Sequence, residues 1–178
     1  MSGHNKWSKI KHKKAATDAQ KSKVFSRLVK LIQVESKRAG GNVDDPGLRT
    51  IIEKAKKENM PKDNIERAIS KGAGSDSIAL ESITYEAYGP GGVALIIESL
   101  TDSRNRAAAE VRHILSKNGY ELAAQGSALW AFTRNGSEWE ATTTTPIDDE
   151  VGEALETLIE QLEECDDVQE VFTNASSE

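Results

Sequence analysis

The stretch Gly72-Ala73-Gly74-Ser75-Asp76-Ser77-Ile78-Ala79 divides this chain into two halves of different character. Small and polar residues in such a run are typical of a linker. Before it, apolar residues recur with the period of a helix, and beyond it they alternate with a period of two. Charge reverses there as well: residues 1–72 hold 18 basic and 8 acidic residues, whereas residues 73–178 hold 5 and 21. The sequence therefore predicts a basic arm and helical domain over 1–72, a linker over 73–79 and an acidic domain over 80–178.

The first 72 residues contain three segments of helical periodicity. The first segment begins at residues 17–18, where either side chain could cap a helix, and ends at Gly40-Gly41. The second begins at Asp45-Pro46, a capping residue followed by proline at the first helical position. The third begins at Pro61 and ends at Gly72. Because each segment carries one apolar stripe, we expect the three helices to bury those stripes against one another.

The acidic half reads as a series of strands with two helices between them. Alternation predicts a strand over 83–88, and the apolar run Val93–Ile97 predicts a central strand after a turn at 89–92. A helix capped by Asp102 or Ser103 follows, then a strand over 128–132, a hairpin, a helix opened by Pro146 and a strand over 168–172.

This order predicts an α+β protein. An N-terminal three-helix domain would be followed by a ferredoxin-like antiparallel sheet with two helices and one extra strand.

The pair Asn135-Gly136 predicts a tight hairpin with a checkable register. If these two residues form the loop, Arg134 faces Ser137 and Phe132 faces Trp139. Trp130 then faces Ala141, and the large apolar side chains share one side of the hairpin.

Lysines in the first 30 residues form the best candidate for a binding surface, because a half with net charge +10 attracts polyanions. Trp7 and His12 lie between the lysines and could stack on bases, although Trp7 could equally pin the arm onto the helical domain. Lysine contacts to phosphate read no base sequence, so no sequence specificity is predicted. The predicted nucleic-acid contacts are Lys6, Trp7, Lys9, Lys11, His12, Lys13, Lys14, Lys21, Lys23 and Arg27.

A second predicted contact is the glycine-rich loop Gly89-Pro90-Gly91-Gly92 with Tyr88 before it, where small residues would let a large partner approach closely. Because this loop joins two strands and opens no helix, it does not match a phosphate-binding loop.

The sequence contains no nucleotide-binding motif and no histidine pair with metal-ligand spacing, so neither an enzyme nor a cofactor or metal site is expected. Cys165 is the only cysteine, and no apolar run is long enough to span a bilayer. These features favour a cytoplasmic protein without membrane contact, and a monomer is favoured over an oligomer.

Several long motifs resemble the YebC family of regulatory proteins across nearly the whole chain. The most distinctive run lies at residues 59–69, and the first match lies at the N-terminus. The matching stretches are Gly3-His4-Asn5-Lys6-Trp7, Ile10-Lys11-His12-Lys13-Lys14-Ala15-Ala16, Asn59-Met60-Pro61-Lys62-Asp63-Asn64-Ile65-Glu66-Arg67-Ala68-Ile69, Tyr88-Gly89-Pro90-Gly91-Gly92-Val93-Ala94, Ala109-Glu110-Val111-Arg112-His113 and Asp166-Asp167-Val168-Gln169-Glu170-Val171.

This resemblance implies a regulator without catalytic activity that binds nucleic acid. Members are described as DNA-binding transcriptional regulators, or as translation activators on the ribosome that relieve stalling at proline-rich stretches. The resemblance therefore leaves DNA and ribosomal RNA open as targets, while a pure protein-interaction module is a third alternative from the residues themselves.

Three departures from the family pattern stand out. Asn5 and Ala87 occupy positions where members more often have Ser and Gly. Typical members also carry one further small domain, and here Arg134-Asn135-Gly136-Ser137 stands in its place. We therefore expect a short form in which a tight turn joins two neighbouring strands.

Overall fold

The computed structural model describes residues 18–177, which form two compact units, a helical unit over 18–81 and an α/β unit over 82–177. In the described part, no helix is long and apolar enough to cross a membrane. The predicted domain borders at 72 and 80 stay predictions.

The helical unit consists of α1 (Asp18–Ala39), α2 (Pro46–Lys57) and α3 (Lys62–Ala73). Their starts and stops follow the predicted signals. Asp45 caps α2 by accepting hydrogen bonds from the backbone N–H groups of Gly47 and Leu48. Gly40 and Gly41 end α1 with φ values of 60° and 79°, which favour glycine. The predicted end of α3 at Gly72 is one residue early, because the helix continues to Ala73 and Gly72 is a buried residue of its last turn.

Gly72 belongs inside α3 because α1 and α3 approach each other there without room for a side chain. A Cβ at Gly72 would lie 2.4 Å from the carbonyl oxygen of Gln33 and 2.9 Å from the Cβ of Ser36. The buried hydroxyl of Ser36 donates to the carbonyl of Ile69 at 2.6 Å, so a polar contact crosses the same junction. Around this junction lies an apolar core of Leu28, Ile32, Leu48, Ile52, Ala55, Met60, Ile65 and Ala68.

The α/β unit contains two long helices and seven strands. The elements are β1 (Glu81–Tyr88), β2 (Ala94–Thr101), α4 (Arg104–Lys117), β3 (Phe132–Asn135), β4 (Glu138–Ala141), β5 (Thr145–Ile147), α5 (Asp149–Glu163), β6 (Val168–Thr173) and β7 (Ala175–Ser177), with short 3-10 turns at 90–92 and 129–131. Ser103 caps α4 and Asp148 caps α5 through their side-chain oxygens.

The α+β class is confirmed: three N-terminal helices precede β-sheets with two helices. The main sheet has the order β1-β2-β6, so the apolar β2 is central as predicted, and it pairs with β6 antiparallel. The strands do not form one ferredoxin-like sheet, however. β3 and β4 form a separate hairpin, and β5 and β7 form a short parallel pair that the sequence did not predict.

Both faces of the main sheet are covered, which explains why β2 is buried along its length. On one face, Val93, Leu95 and Ile97 pack into a core with side chains of α4 and α5. On the other face, Ala94 and Ile96 pack against Ala128, Ala131, Phe132 and Phe172. The segment that leads into the β3–β4 hairpin therefore serves as the second cover of the sheet.

The predicted hairpin register is wrong, because the two-residue loop lies one position later in the chain than Asn135-Gly136. Asn135 pairs with Glu138, and Phe132 pairs with Ala141, so the loop is Gly136-Ser137. Gly136 has a φ of 64°, which suits the first central position of a two-residue hairpin turn. Since the shift changes both strands equally, Phe132, Trp139 and Ala141 still share one face.

Two further predicted elements differ from the structure. The strand expected over 128–132 is mostly a 3-10 turn, and Trp130 within it is 59% exposed rather than covered by the hairpin. Pro146 does not open the last helix, because it lies in β5 and α5 begins three residues later at Asp149. A proline is tolerated in a short edge strand, where its missing N–H costs no ladder bond.

Candidate nucleic-acid interface

The N-terminal part of the predicted interface lies outside the described residues: Lys6, Trp7, Lys9, Lys11, His12, Lys13 and Lys14. The remaining predicted contacts, Lys21, Lys23 and Arg27, lie on the first turns of α1.

The basic side chains of α1 are arranged by the helical repeat. Lys23, Arg27 and Lys30 recur at intervals of four and three residues, which places them on one face, opposite the buried Ile32. All three are half-buried, whereas Lys21 is exposed and lies off this face. The structure thus brings Lys23 and Arg27 together and separates Lys21 from them.

Four exposed cations on α2 and α3 were missed by the sequence analysis. Lys54 and Lys57 lie three residues apart on α2, and Arg67 and Lys71 lie four residues apart on α3, so each pair shares a helix face. Among the described residues none of the four has an ion-pair partner. Their spacing of three and four residues was a visible signal, but only the structure shows which neighbouring cations are neutralised.

The neutralised cations of the helical unit pair with nearby carboxylates. Lys56 pairs with Glu53 at 3.4 Å and Lys62 with Glu66 at 3.5 Å. These exposed pairs contribute little to stability. They do reduce the number of cations that could meet a phosphate.

Arg38 is also neutralised, and it links α1 to the cap of α2. Its guanidinium contacts Glu35 at 2.8 Å and the Asp45 carboxylate. Hydrogen bonds from Arg38 and from the backbone N–H of Leu48 hold the pKa of Asp45 below its ordinary value. Arg38 is therefore committed to the fold, while the Lys54–Lys57 and Arg67–Lys71 pairs are exposed to solvent.

The predicted contact loop, Tyr88 with Gly89-Pro90-Gly91-Gly92, lies in the α/β unit. Gly89 and Pro90 are buried, and a Cβ on Gly91 would lie 2.8 Å from Cγ1 of Val151. Gly91 and Gly92 have φ values of 68° and 75°, so both positions favour glycine for backbone reasons. Packing against α5 and the backbone conformation thus explain why the loop is rich in glycine. Within the loop, only Tyr88, Gly91 and Gly92 are exposed.

The acidic pairs that flank α5 have structural roles. Asp148 accepts a hydrogen bond from the backbone N–H of Val151 at 2.9 Å. Buried Asp167 accepts two hydrogen bonds from Arg106, one from Nε and one from Nη2, each at 3.0 Å. Arg106 also bonds Asp102 and lowers its pKa. Within residues 18–177, no three His, Cys, Asp or Glu side chains are grouped to hold a metal ion.

The matched family models extend over almost the whole chain. The model described as TACO1/YebC protein N-terminal domain matches residues 5–75. The model described as TACO1/YebC second and third domain matches residues 80–138 and 136–175. The chain belongs to the TACO1/YebC family. The two segments matched by the second model meet at residues 136–138, the turn between β3 and β4. The residues that longer relatives have and this chain lacks therefore belong at that turn.

Individual relatives agree with this membership. A probable transcriptional regulatory protein of Fervidobacterium nodosum is 51% identical over 171 residues, which cover 94% of this chain and 68% of the relative. A probable transcriptional regulatory protein of Desulfatibacillum aliphaticivorans is 51% identical over 175 residues, which cover 97% of this chain and 71% of the relative. The crystal structure of a conserved hypothetical protein, Aq1575 from Aquifex aeolicus, matches with a TM-score of 0.84 at 34% identity, covering 97% of each chain. The TACO1/YebC family is one of regulators rather than enzymes.

Proposed function

We propose that this protein is a non-enzymatic, cytoplasmic regulator of gene expression that binds nucleic acid through its basic helical unit, in the manner of the YebC-type DNA-binding transcriptional regulators. The observation that supports this most directly is a set of exposed cations on α2 and α3 that have no ion-pair partner within residues 18–177: Lys54, Lys57, Arg67 and Lys71. They lie in the same unit as the basic face of α1, and the curated relatives are named as probable transcriptional regulators.

The charge of the two units supports this choice of surface. Residues 18–81 hold 13 basic and 10 acidic residues, while residues 82–177 hold 5 and 18. A polyanion is therefore attracted to the helical unit and repelled by the α/β unit. The lysines of residues 6–14 would add to this attraction.

Structured RNA, including ribosomal RNA, is a second candidate target, and one observation favours it. A helix that reads base edges in the major groove does so with Arg, Asn or Gln near its N-terminus. The first two turns of α3 expose the carboxylates Asp63 and Glu66 beside Arg67. Two carboxylates at these positions do not match a helix that reads a duplex sequence, while the exposed cations of α2 and α3 suit contact with phosphates.

The test measures binding of the full chain to a duplex DNA and to a structured RNA over a range of salt concentrations. K54Q/K57Q should weaken binding to both polymers. It should also reduce the slope of log affinity against log salt by about two units, since each lost phosphate contact removes roughly one unit of slope. The control R112Q/K117Q removes the same charge from exposed positions of α4 and should leave the slope unchanged.

If K54Q/K57Q and R112Q/K117Q lost the same affinity and salt slope, binding would depend only on the net charge of the chain. That result would refute α2 as a contact surface. If neither polymer binds the wild-type chain in dilute buffer, the proposed function is wrong. A preference for one polymer at matched salt decides between the two candidate targets.

A further inference from the structure

Two aromatic side chains of the α/β unit, Trp130 and Tyr88, are exposed to solvent. Trp130 is 59% exposed and Tyr88 is 36% exposed, and they are the only large hydrophobic residues exposed to this degree in the described residues 82–177. Exposure of aromatic carbon to water costs free energy that a binding partner would recover. Exposed aromatic pairs are therefore typical of interaction surfaces.

Hydrogen bonds fix the orientation of both rings. The indole Nε1 of Trp130 donates to the Tyr88 hydroxyl at 2.9 Å, and that hydroxyl in turn donates to the carbonyl of Ser127. The polar atoms of the pair are therefore used inside the protein, and the outward surface is aromatic carbon. Because the rings are already held in place, binding would not have to order them.

The segment that carries Trp130 is itself anchored to β1, the strand that ends at Tyr88. Buried Glu86 accepts hydrogen bonds from the backbone N–H groups of Gly126 at 2.6 Å, Ala128 at 2.9 Å and Leu129 at 2.8 Å. Three bonds to one carboxylate hold the backbone on both sides of Ser127. The aromatic pair is thus a preformed surface on a rigid support.

The charged residues of the stretch that contains Trp130 indicate which kind of partner the aromatic pair would bind. Residues 121–141 contain the exposed carboxylates Glu121, Glu138 and Glu140 and one cation, Arg134. Arg134 is already paired with Glu98 at 3.4 Å. With the α/β unit at five basic against 18 acidic residues, a phosphate would be repelled and a cation attracted.

We propose that Trp130 and Tyr88 form a docking surface for an arginine- or lysine-rich segment of another protein. The faces of aromatic rings attract cations through their quadrupole, and guanidinium groups also stack on them. Exposed carboxylates in residues 121–141, the stretch that contains Trp130, supply the complementary charge. This surface does not depend on nucleic-acid binding, which is assigned to the other unit.

The test titrates the full chain with a fluorescein-labelled peptide of nine arginines. W130A removes the exposed ring and leaves every charge in place, and should weaken binding about tenfold. V43A, which truncates a 51% exposed side chain of the helical unit, should bind like the wild type. Y88F keeps both rings but removes the hydroxyl that orients Trp130, and should weaken binding about threefold.

The charge contribution has its own matched pair of variants. E121Q/E138Q should weaken peptide binding about fivefold, because both carboxylates are exposed in residues 121–141, the stretch that contains Trp130. E150Q/E153Q makes the same charge change on α5, which covers the opposite face of the sheet, and should have at most a twofold effect.

Three kinds of result would overturn the proposal. The first is the lack of a specific loss: W130A binds the peptide as tightly as the wild type, or the two double variants show equal losses. The second is displacement of the peptide by a ten-residue oligothymidylate in the wild type but not in W130A, which would make the surface a base-stacking site. The third is concentration-dependent self-association in sedimentation that W130A abolishes, which would make it an interface between copies.

Discussion

Replacing Gly72 with alanine tests the close approach of α1 and α3. The added Cβ would lie 2.4 Å from the carbonyl oxygen and 2.8 Å from the Cα of Gln33, and 2.9 Å from the Cβ of Ser36. Two of these atoms are backbone, so no side chain can rotate away and the helices must separate. Overpacking of this kind costs about 1–3 kcal/mol.

Two further effects adjust the magnitude. Separation of the helices would stretch the 2.6 Å hydrogen bond from the Ser36 hydroxyl to the Ile69 carbonyl, at a cost of about 1 kcal/mol. Alanine favours a helix over glycine by about 0.5–1 kcal/mol, which offsets part of the loss. We therefore expect G72A to lose about 2 kcal/mol of unfolding free energy.

Urea unfolding followed by circular dichroism at 222 nm measures this loss. With a slope of about 2 kcal/mol per molar urea, the midpoint should fall by about 1 M. The control is G74A, where φ is −71° and the nearest atom to the new Cβ is the Ser70 carbonyl oxygen at 3.3 Å. G74A should match the wild type or be slightly more stable. The reasoning fails if G72A and G74A share one midpoint.

Three other predictions follow from single contacts. E86Q should cost about 3 kcal/mol in the same urea assay, because the two buried carboxylate oxygens accept three backbone bonds and the amide would turn a donating NH2 group toward one of these N–H donors. Since Arg38 lowers the pKa of Asp45, the stability that this carboxylate contributes is present above its ordinary pKa and is lost as pH falls through the lowered value; D45N should abolish this part of the acid sensitivity in a pH titration of unfolding. Eight Gly/Ser residues inserted between Gly136 and Ser137 should cost only about 1.4 kcal/mol, the entropy of the longer loop; complete unfolding of the α/β unit would contradict this.

Local signals in the sequence located most of the helices. The cap at Asp45 and the glycines after α1 act within a few residues, so they are readable without the fold. Gly72 could not be interpreted in this way, because a glycine that ends a helix and one that admits a second helix look alike until Gln33 is known to lie opposite. The same limit applies to the pairing of β5 with β7, since three-residue strands have too little pattern to detect.

The interface shows the limit of charge counting. The half-to-half asymmetry pointed to a basic surface, but the predicted residues followed the density of lysines along the chain. Which cations are available depends on neighbours in space: Lys56 and Lys62 have carboxylates within 3.5 Å, whereas Lys54 and Lys57 have no ion-pair partner in the part of the chain that the structure describes. Likewise, Trp130 was assigned to the covered face because a strand was expected there, and the 3-10 turn places it in solvent.

The loss of length at the β3–β4 turn is tolerable because the hairpin is anchored by contacts that do not involve the turn. The indole Nε1 of Trp139 donates to Glu98 at 2.6 Å, the hydroxyl of Thr84 donates to the same oxygen at 3.0 Å, and Arg134 lies over the Trp139 ring at 4.9 Å. Trp139 thus ties the hairpin to Glu98 of β2, which Thr84 of β1 also contacts, and Arg134 joins the two strands of the hairpin. Phe132 closes the second face of the sheet. A change confined to the turn therefore leaves this cover in place, whereas removal of either strand would expose an apolar face of the sheet to water.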